Sequence, residues 1–324
     1  MVQATVQESF SSDLRKDSGW SSKSLLTISG IMLSIGIVWR VVDQFILGLG
    51  DTWMNIMPSK LFPFMIILVF FWRYRRQEIN SVLGLSQNKM TLQLAVGIIL
   101  GLTISGLIDI GGTVIYAVFL DPTYSLDLHI LNEGLLGYSI IFFLTNAFME
   151  ETLFRGLLQN GLKERFTPNR AITVSAVTFG FWHAGWPLIN GGTSNEVIMQ
   201  VSIMVFSTTI LGLLFGIYYE RFSSGQSLMG AIIAHTIFNF VSENFKIGPE
   251  PAIQGPDLVF STQGLLAVTL VMFFSIFSVL FVIFSRYKID QISDLWRNIS
   301  NRSRRILTGL SRTEAVTNDN LDEV

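Results

Sequence analysis

Asn146-Ala147-Phe148-Met149-Glu150-Glu151-Thr152-Leu153-Phe154-Arg155 sets two adjacent carboxylates and a guanidinium inside an apolar run from Leu135 to Leu162. A helix needs about 20 predominantly apolar residues to cross a bilayer, and this run supplies them. Ionisable groups at membrane depth are costly, so they mark a partner or a function. On a helix, Glu151 and Arg155 are one turn apart on one face and can pair. Glu150 is rotated by about 100° from Glu151 and points to a different neighbour. The stretch therefore reads as a paired charge beside an unpaired carboxylate, the arrangement of a held base.

The rest of the chain agrees with a membrane setting. Its 324 residues are 50% hydrophobic and 14% charged, with a mean hydropathy of +0.49. Soluble domains carry about 25% charge. The expected fold is all-α, a polytopic transmembrane helical bundle. Eight spans are expected, near 25–49, 58–72, 91–119, 136–161, 171–189, 197–218, 227–243 and 263–285. The expected organisation is a polar cytoplasmic segment 1–24, N-terminal transmembrane helices 25–134 and a core 135–244. An external loop with the last transmembrane helix (245–285) and a basic cytoplasmic tail (286–324) follow. The first 24 residues lack the basic-then-apolar layout of a cleaved signal peptide, so the spans are the expected anchor. The chain has no cysteine, which excludes disulfides, thiolate catalysis and Cys-ligated metals. The bilayer is the expected environment, and no nucleic-acid partner is expected.

Orientation follows from the basic residues. With the N-terminus in the cytoplasm and eight crossings, 18 of the 22 Lys and Arg fall on the cytoplasmic side. Lys60 and Lys246 fall on the other side, and Arg40 and Arg155 within spans. This asymmetry predicts a multi-pass protein with both termini cytoplasmic. Arg40 and Asp43 are spaced to pair with each other. Asp109, followed by Gly111-Gly112, marks a tilt or break in the third span. Gly97-x-x-x-Gly101 and Gly212-x-x-x-Gly216 are either close-packing faces or chance.

Two of the three histidines, His183 and His235, lie within spans, and Asn239 shares a helical face with His235. At 1.5 Å per residue, Glu150, His183 and His235 lie about 15, 18 and 12 Å from the cytoplasmic ends of their spans. Three helices thus bring Glu, His and His to a similar depth. Each residue alone has a plain structural reading: a helix-to-helix hydrogen bonder, a packing clasp, an inter-helix amide. Together they can activate water, with Glu150 as general base, His183 sharing the water, and His235 and Asn239 donating to an oxyanion. Glu151 and Arg155 would orient the helix. Two His and one carboxylate are also an ordinary zinc set, so metal-bound and directly activated water both stay open. His129 reads as a surface residue of an external loop.

At these positions the chain resembles the CPBP family of intramembrane metalloproteases. That family takes in the type II CAAX prenyl endopeptidases and bacterial proteins linked to bacteriocin self-immunity. The resemblance rests on Glu150-Glu151-Thr152-Leu153-Phe154-Arg155, on Phe179 to His183, and on His235 to Asn239, and covers about Leu135 to Phe240. It implies a helical membrane endopeptidase with Glu150 as the base activating water. It further implies His183 as its partner, His235 and Asn239 supporting the transition state, and a protein or peptide substrate, prenylated in the CAAX case. It leaves the need for a metal open. Two other readings of the same polar cluster remain: a non-catalytic immunity or regulatory binding protein, and a proton or ion carrier.

Overall fold

The computed structural model describes residues 19–47, 53–131, 133–190, 192–249, 262–295 and 297–298. Most of the polar N-terminal segment, much of the loop before the last helix, and the tail beyond 298 lie outside the described residues.

The eight apolar stretches appear as eight helical rods among those residues. They are α1 (Leu25–Leu47), α2 (Trp53–Tyr74), α3 (Met90–Phe119) and α4 (Leu136–Glu151, continued by Thr152–Leu158 and Gln159–Leu162). After them come α5 (Pro168–His183), α6 (Ser194–Phe222), α7 (Met229–Asn244) and α8 (Gln263–Arg286). Four of them, α1, α3, α6 and α8, are long and apolar enough to cross a membrane. The rods α5 and α7 have only 16 residues each, short of the about 20 that a full crossing takes.

One element was not expected. Leu128–Ile130 (β1) and Phe245–Ile247 (β2) pair antiparallel, with His129 opposite Lys246. His129 is half-buried there, and its Nε2 lies 2.9 Å from the Gly248 carbonyl oxygen. It ties the ribbon to its flank and is not the free surface residue expected.

Of the two readings of the spaced glycines, the structure has close packing. A Cβ on Gly97 would sit 2.6 Å from the Gly230 carbonyl oxygen, and one on Gly101 2.7 Å from that of Ala234. No larger residue fits there, so α3 and α7 touch backbone to backbone. Gly216 likewise faces Gln159 and Ile172 at 2.9 Å, seating α6 on α4 and α5. An apolar cluster joins α1, α2, α4 and α5 through Ile28, Phe71, Leu157 and Phe179. The start of α1 is held from the far end of α4, where the Glu164 carboxylate accepts from the N–H groups of Leu25 (2.7 Å) and Leu26 (3.2 Å). An anion there satisfies donors that a helix start leaves open.

Four rods contain a π-helical turn: Val42–Leu47, Ser105–Ile110, Thr152–Leu158 and Tyr218–Phe222. Asp109 thus sits in a widened turn of a continuous rod, not at a break. In α4 the π turn follows directly on Glu150-Glu151, and such turns recur at functional sites. Its carbonyls are taken by hydroxyls of neighbouring helices. Ser175 donates to Phe154 at 2.7 Å, and Ser29 to Leu157 at 2.9 Å. Backbone irregularity at membrane depth requires this kind of satisfaction.

Lys60 corrects the charge count. It lies within α2 and is 4% exposed, so of the two cations expected on the outer side only Lys246 lies outside a rod.

Candidate active site

Glu150 and Glu151 leave α4 in different directions, as the helical repeat dictates. Glu151 is fully buried and turns toward α7. Its Oε1 lies 2.8 Å from His235 Nδ1 and 3.2 Å from Arg155 Nη1. The Arg155 guanidinium also stacks over Phe179 on α5, 4.0 Å from the ring centroid. The expected Glu151–Arg155 pair is present, and it is one half of a three-residue chain that ends on a histidine.

Glu150 turns toward α2 and α5. Its Oε1 lies 3.4 Å from Lys60 Nζ and 3.3 Å from the indole N–H of Trp182. Its Oε2 has no hydrogen-bond partner among the described residues, yet it is buried. That oxygen lies 3.7 Å from His183 Nε2 and 3.7 Å from His235 Nε2. The expectation of an unpaired carboxylate is therefore wrong in one respect. One oxygen of Glu150 is paired with a lysine, and only the other is open.

The histidine tautomers follow from their partners. His235 Nδ1 faces a carboxylate, so it carries the proton and donates. His183 Nδ1 lies 2.9 Å from the Phe179 carbonyl oxygen one turn back, so it too donates. In the neutral rings both Nε2 atoms then present lone pairs toward Glu150 Oε2. Three acceptors face one small volume, which suits a donor with two O–H groups such as water. His183 is the most open member, with 16% of its side chain exposed against 3% for His235 and 1% for Glu150.

Five of the six expected residues, Glu150, Glu151, Arg155, His183 and His235, come together. Asn239 does not join them. It lies one turn beyond His235 on α7, half-buried, with no hydrogen bond to the others among the described residues. Three neighbours were not anticipated. Lys60 and Trp182 bind Glu150 directly. Arg40, at the end of the regular part of α1, stacks over Trp182 at 5.0 Å and acts electrostatically on both Glu150 and Asp43. Arg40 is thus shared with the site, where simple pairing with Asp43 was expected. The signal for all three was present in the sequence as charges in apolar spans and an aromatic beside His183.

Among the described residues, no group of three His, Asp or Glu side chains is arranged to hold a metal ion. The carboxylate that would be the anionic ligand already takes an ammonium and an indole N–H.

No curated protein matches the chain. Residues 132–241 match the family model described as Type II CAAX prenyl endopeptidase Rce1-like. The matched residues include Glu150, Glu151, Arg155, Trp182, His183, His235 and Asn239, while Arg40 and Lys60 precede them. Over this helical segment, about a third of its length, the membrane protein is similar to Rce1-like type II CAAX prenyl endopeptidases.

Proposed function

We propose that the chain is an intramembrane endopeptidase that hydrolyses a peptide bond with water activated by Glu150. The observation that carries this reading is the open Oε2 of Glu150, 3.7 Å from each of two Nε2 atoms whose rings are fixed by separate partners. A water bound between them gives one proton to Glu150 and is oriented by His183, while its oxygen attacks the scissile carbonyl. As the carbonyl is attacked, His235 Nε2 takes the water's second proton, and the resulting imidazolium, whose charge Glu151 balances, stabilises the oxyanion together with Asn239 one turn away. Glu150 then passes its proton to the leaving amine, releasing a carboxylate and an amine. The family brings the substrate class, a protein or peptide with a prenylated cysteine near its C-terminus. Access past the more open His183 suits a substrate whose lipid stays in the bilayer.

The test uses purified protein in detergent or liposomes with a farnesylated CAAX-type reporter peptide. Release of the C-terminal tripeptide by wild type, and its loss in Glu150→Gln with peptide binding retained, support the reading. Unchanged turnover in Glu150→Gln overturns it. Inhibition by a chelator with recovery on added zinc would move Glu150 from base to ligand. A full eight crossings, with both termini cytoplasmic, belong to the same proposal. Reporter fusions at Asp127 and after Arg286 should report opposite sides, and the same side for both would end that topology.

A further inference from the structure

We propose that Lys60, from a helix that precedes the matched segment, is a positioning residue for Glu150, fixing which carboxylate oxygen faces the reacting water. The inference rests on the reading of Glu150 as the base.

A carboxylate has two equivalent oxygens, and a base must present one of them in a defined direction. Here both donors to Glu150 fall on the same oxygen. Lys60 Nζ lies 3.4 Å and Trp182 Nε1 3.3 Å from Oε1, leaving Oε2 open toward the two histidines. Trp182 comes with His183 on α5, within the family match. Lys60 comes on α2, which is seated against α4 by Phe64 over Phe148 at a centroid separation of 5.8 Å. The lysine is 4% exposed, and a buried ammonium is retained only with an anionic partner. The charged and titratable groups that face or adjoin Glu150 are Arg40 and Asp43 from α1, Lys60 from α2, Glu151 and Arg155 from α4, His183 from α5 and His235 from α7. Lys60 is the cation in ion-pair contact with Glu150 itself, whereas Arg155 is in contact with Glu151. The two cations thus divide the two carboxylates between them.

An inter-helix clasp and a positioning residue differ in what their loss does to a folded enzyme. Lys60→Met keeps an unbranched chain of similar length and removes the ammonium. With the farnesylated reporter, kcat should fall on the order of 10²-fold, the usual cost of misplacing a reacting group by about 1 Å. KM should be unchanged, since the peptide does not need to touch Lys60. Lys60→Arg, which keeps a cation, should restore most of kcat. Wild-type kcat in Lys60→Met, with a thermal melt showing a folded protein, would overturn the proposal, as would failure of Lys60→Arg to restore activity. If Lys60→Met does not fold, Lys60→Leu, which also lacks any donor, is read in the same way. Glu150→Gln is run beside them. An active Glu150→Gln removes the reading of Glu150 as the base. An inactive Glu150→Gln with a fully active Lys60→Met removes only the role of Lys60.

Discussion

Asp109 on α3 and Glu150 on α4 are both carboxylates at a π turn in an apolar helix. Asp109 lies within the turn, faces outward, and accepts from the hydroxyl of Ser242 on α7. Glu150 lies just before the turn, is 1% exposed, and is met by charged or polar side chains from α1, α2, α5 and α7. Neither an intramembrane charge nor a widened turn therefore marks a site alone. The difference lies in how many helices deliver ionisable groups to one point. Each such group costs free energy to bury, and a folded protein keeps several together only where their charges and lone pairs are matched. At Glu150 the matching is deliberately incomplete in one place, the open Oε2. At Asp109 the hydroxyl of Ser242 and the charge of Lys246 meet a side chain that the fold leaves at the bundle surface.

The contrast can be broken by substitution, beginning with the largest effect. Glu150→Gln should reduce kcat on the reporter peptide by about 10²–10⁴-fold, the contribution of a general base. Asp109→Asn should leave kcat unchanged, and a comparable loss there would erase the distinction. Arg155→Ala leaves Glu151 buried without its cation. Loss of one partner from a buried pair costs about 3–5 kcal/mol, so folded yield and thermal midpoint in detergent should both drop. A wild-type melting curve would show that the pair does not stabilise the fold. His235→Ala removes the oxyanion donor and the partner of Glu151, and kcat should fall about 10²–10³-fold while the protein stays folded. Asp109→Asn is the smallest case in stability as well. It exchanges one surface hydrogen bond for another, and a shift above about 1 kcal/mol would mean that Asp109 does more than the geometry shows.

Much of the site could be read from the sequence because its signals are local. Glu151 and Arg155 are one turn apart, and Glu150, His183 and His235 each stand out against apolar neighbours. Helical rise alone placed them at similar depth, and the structure has Glu150 Oε2 3.7 Å from both rings. What the sequence hid were contacts between distant helices. Lys60 stands between Pro58 and Pro63 at the start of a short apolar stretch, where the charge count places it on the outer side. Nothing local ties it to a carboxylate 90 residues later. Arg40 has an acidic neighbour in Asp43 at pairing distance along the helix, which hides its reach toward Glu150. Asn239 has the expected spacing on α7, but among the described residues it makes no hydrogen bond to the cluster. The His129 ribbon was missed because two three-residue strands leave no period to detect. Hydropathy outlined the eight rods, but whether α5 and α7 cross fully depends on packing that 16 residues cannot announce.

The Glu164 carboxylate that caps α1 lies 139 residues after Leu25, and Glu150 follows Lys60 by 90. The ribosome delivers α1 and α2 first, so both are made before their partners exist. In that interval the opening N–H groups of α1 lack their cap, and α2 carries an ammonium whose counter-ion is unmade. A lysine costs about 2.5–3.5 kcal/mol at the centre of an inserting helix, and Lys60, in the first half of α2, carries part of that cost until Glu150 is made. The first two helices thus reach their final seats only when α4 and the loop after it arrive. A coding change in α4 is consequently also a change to the biogenesis of the N-terminal half, which quality control can detect before any substrate is met.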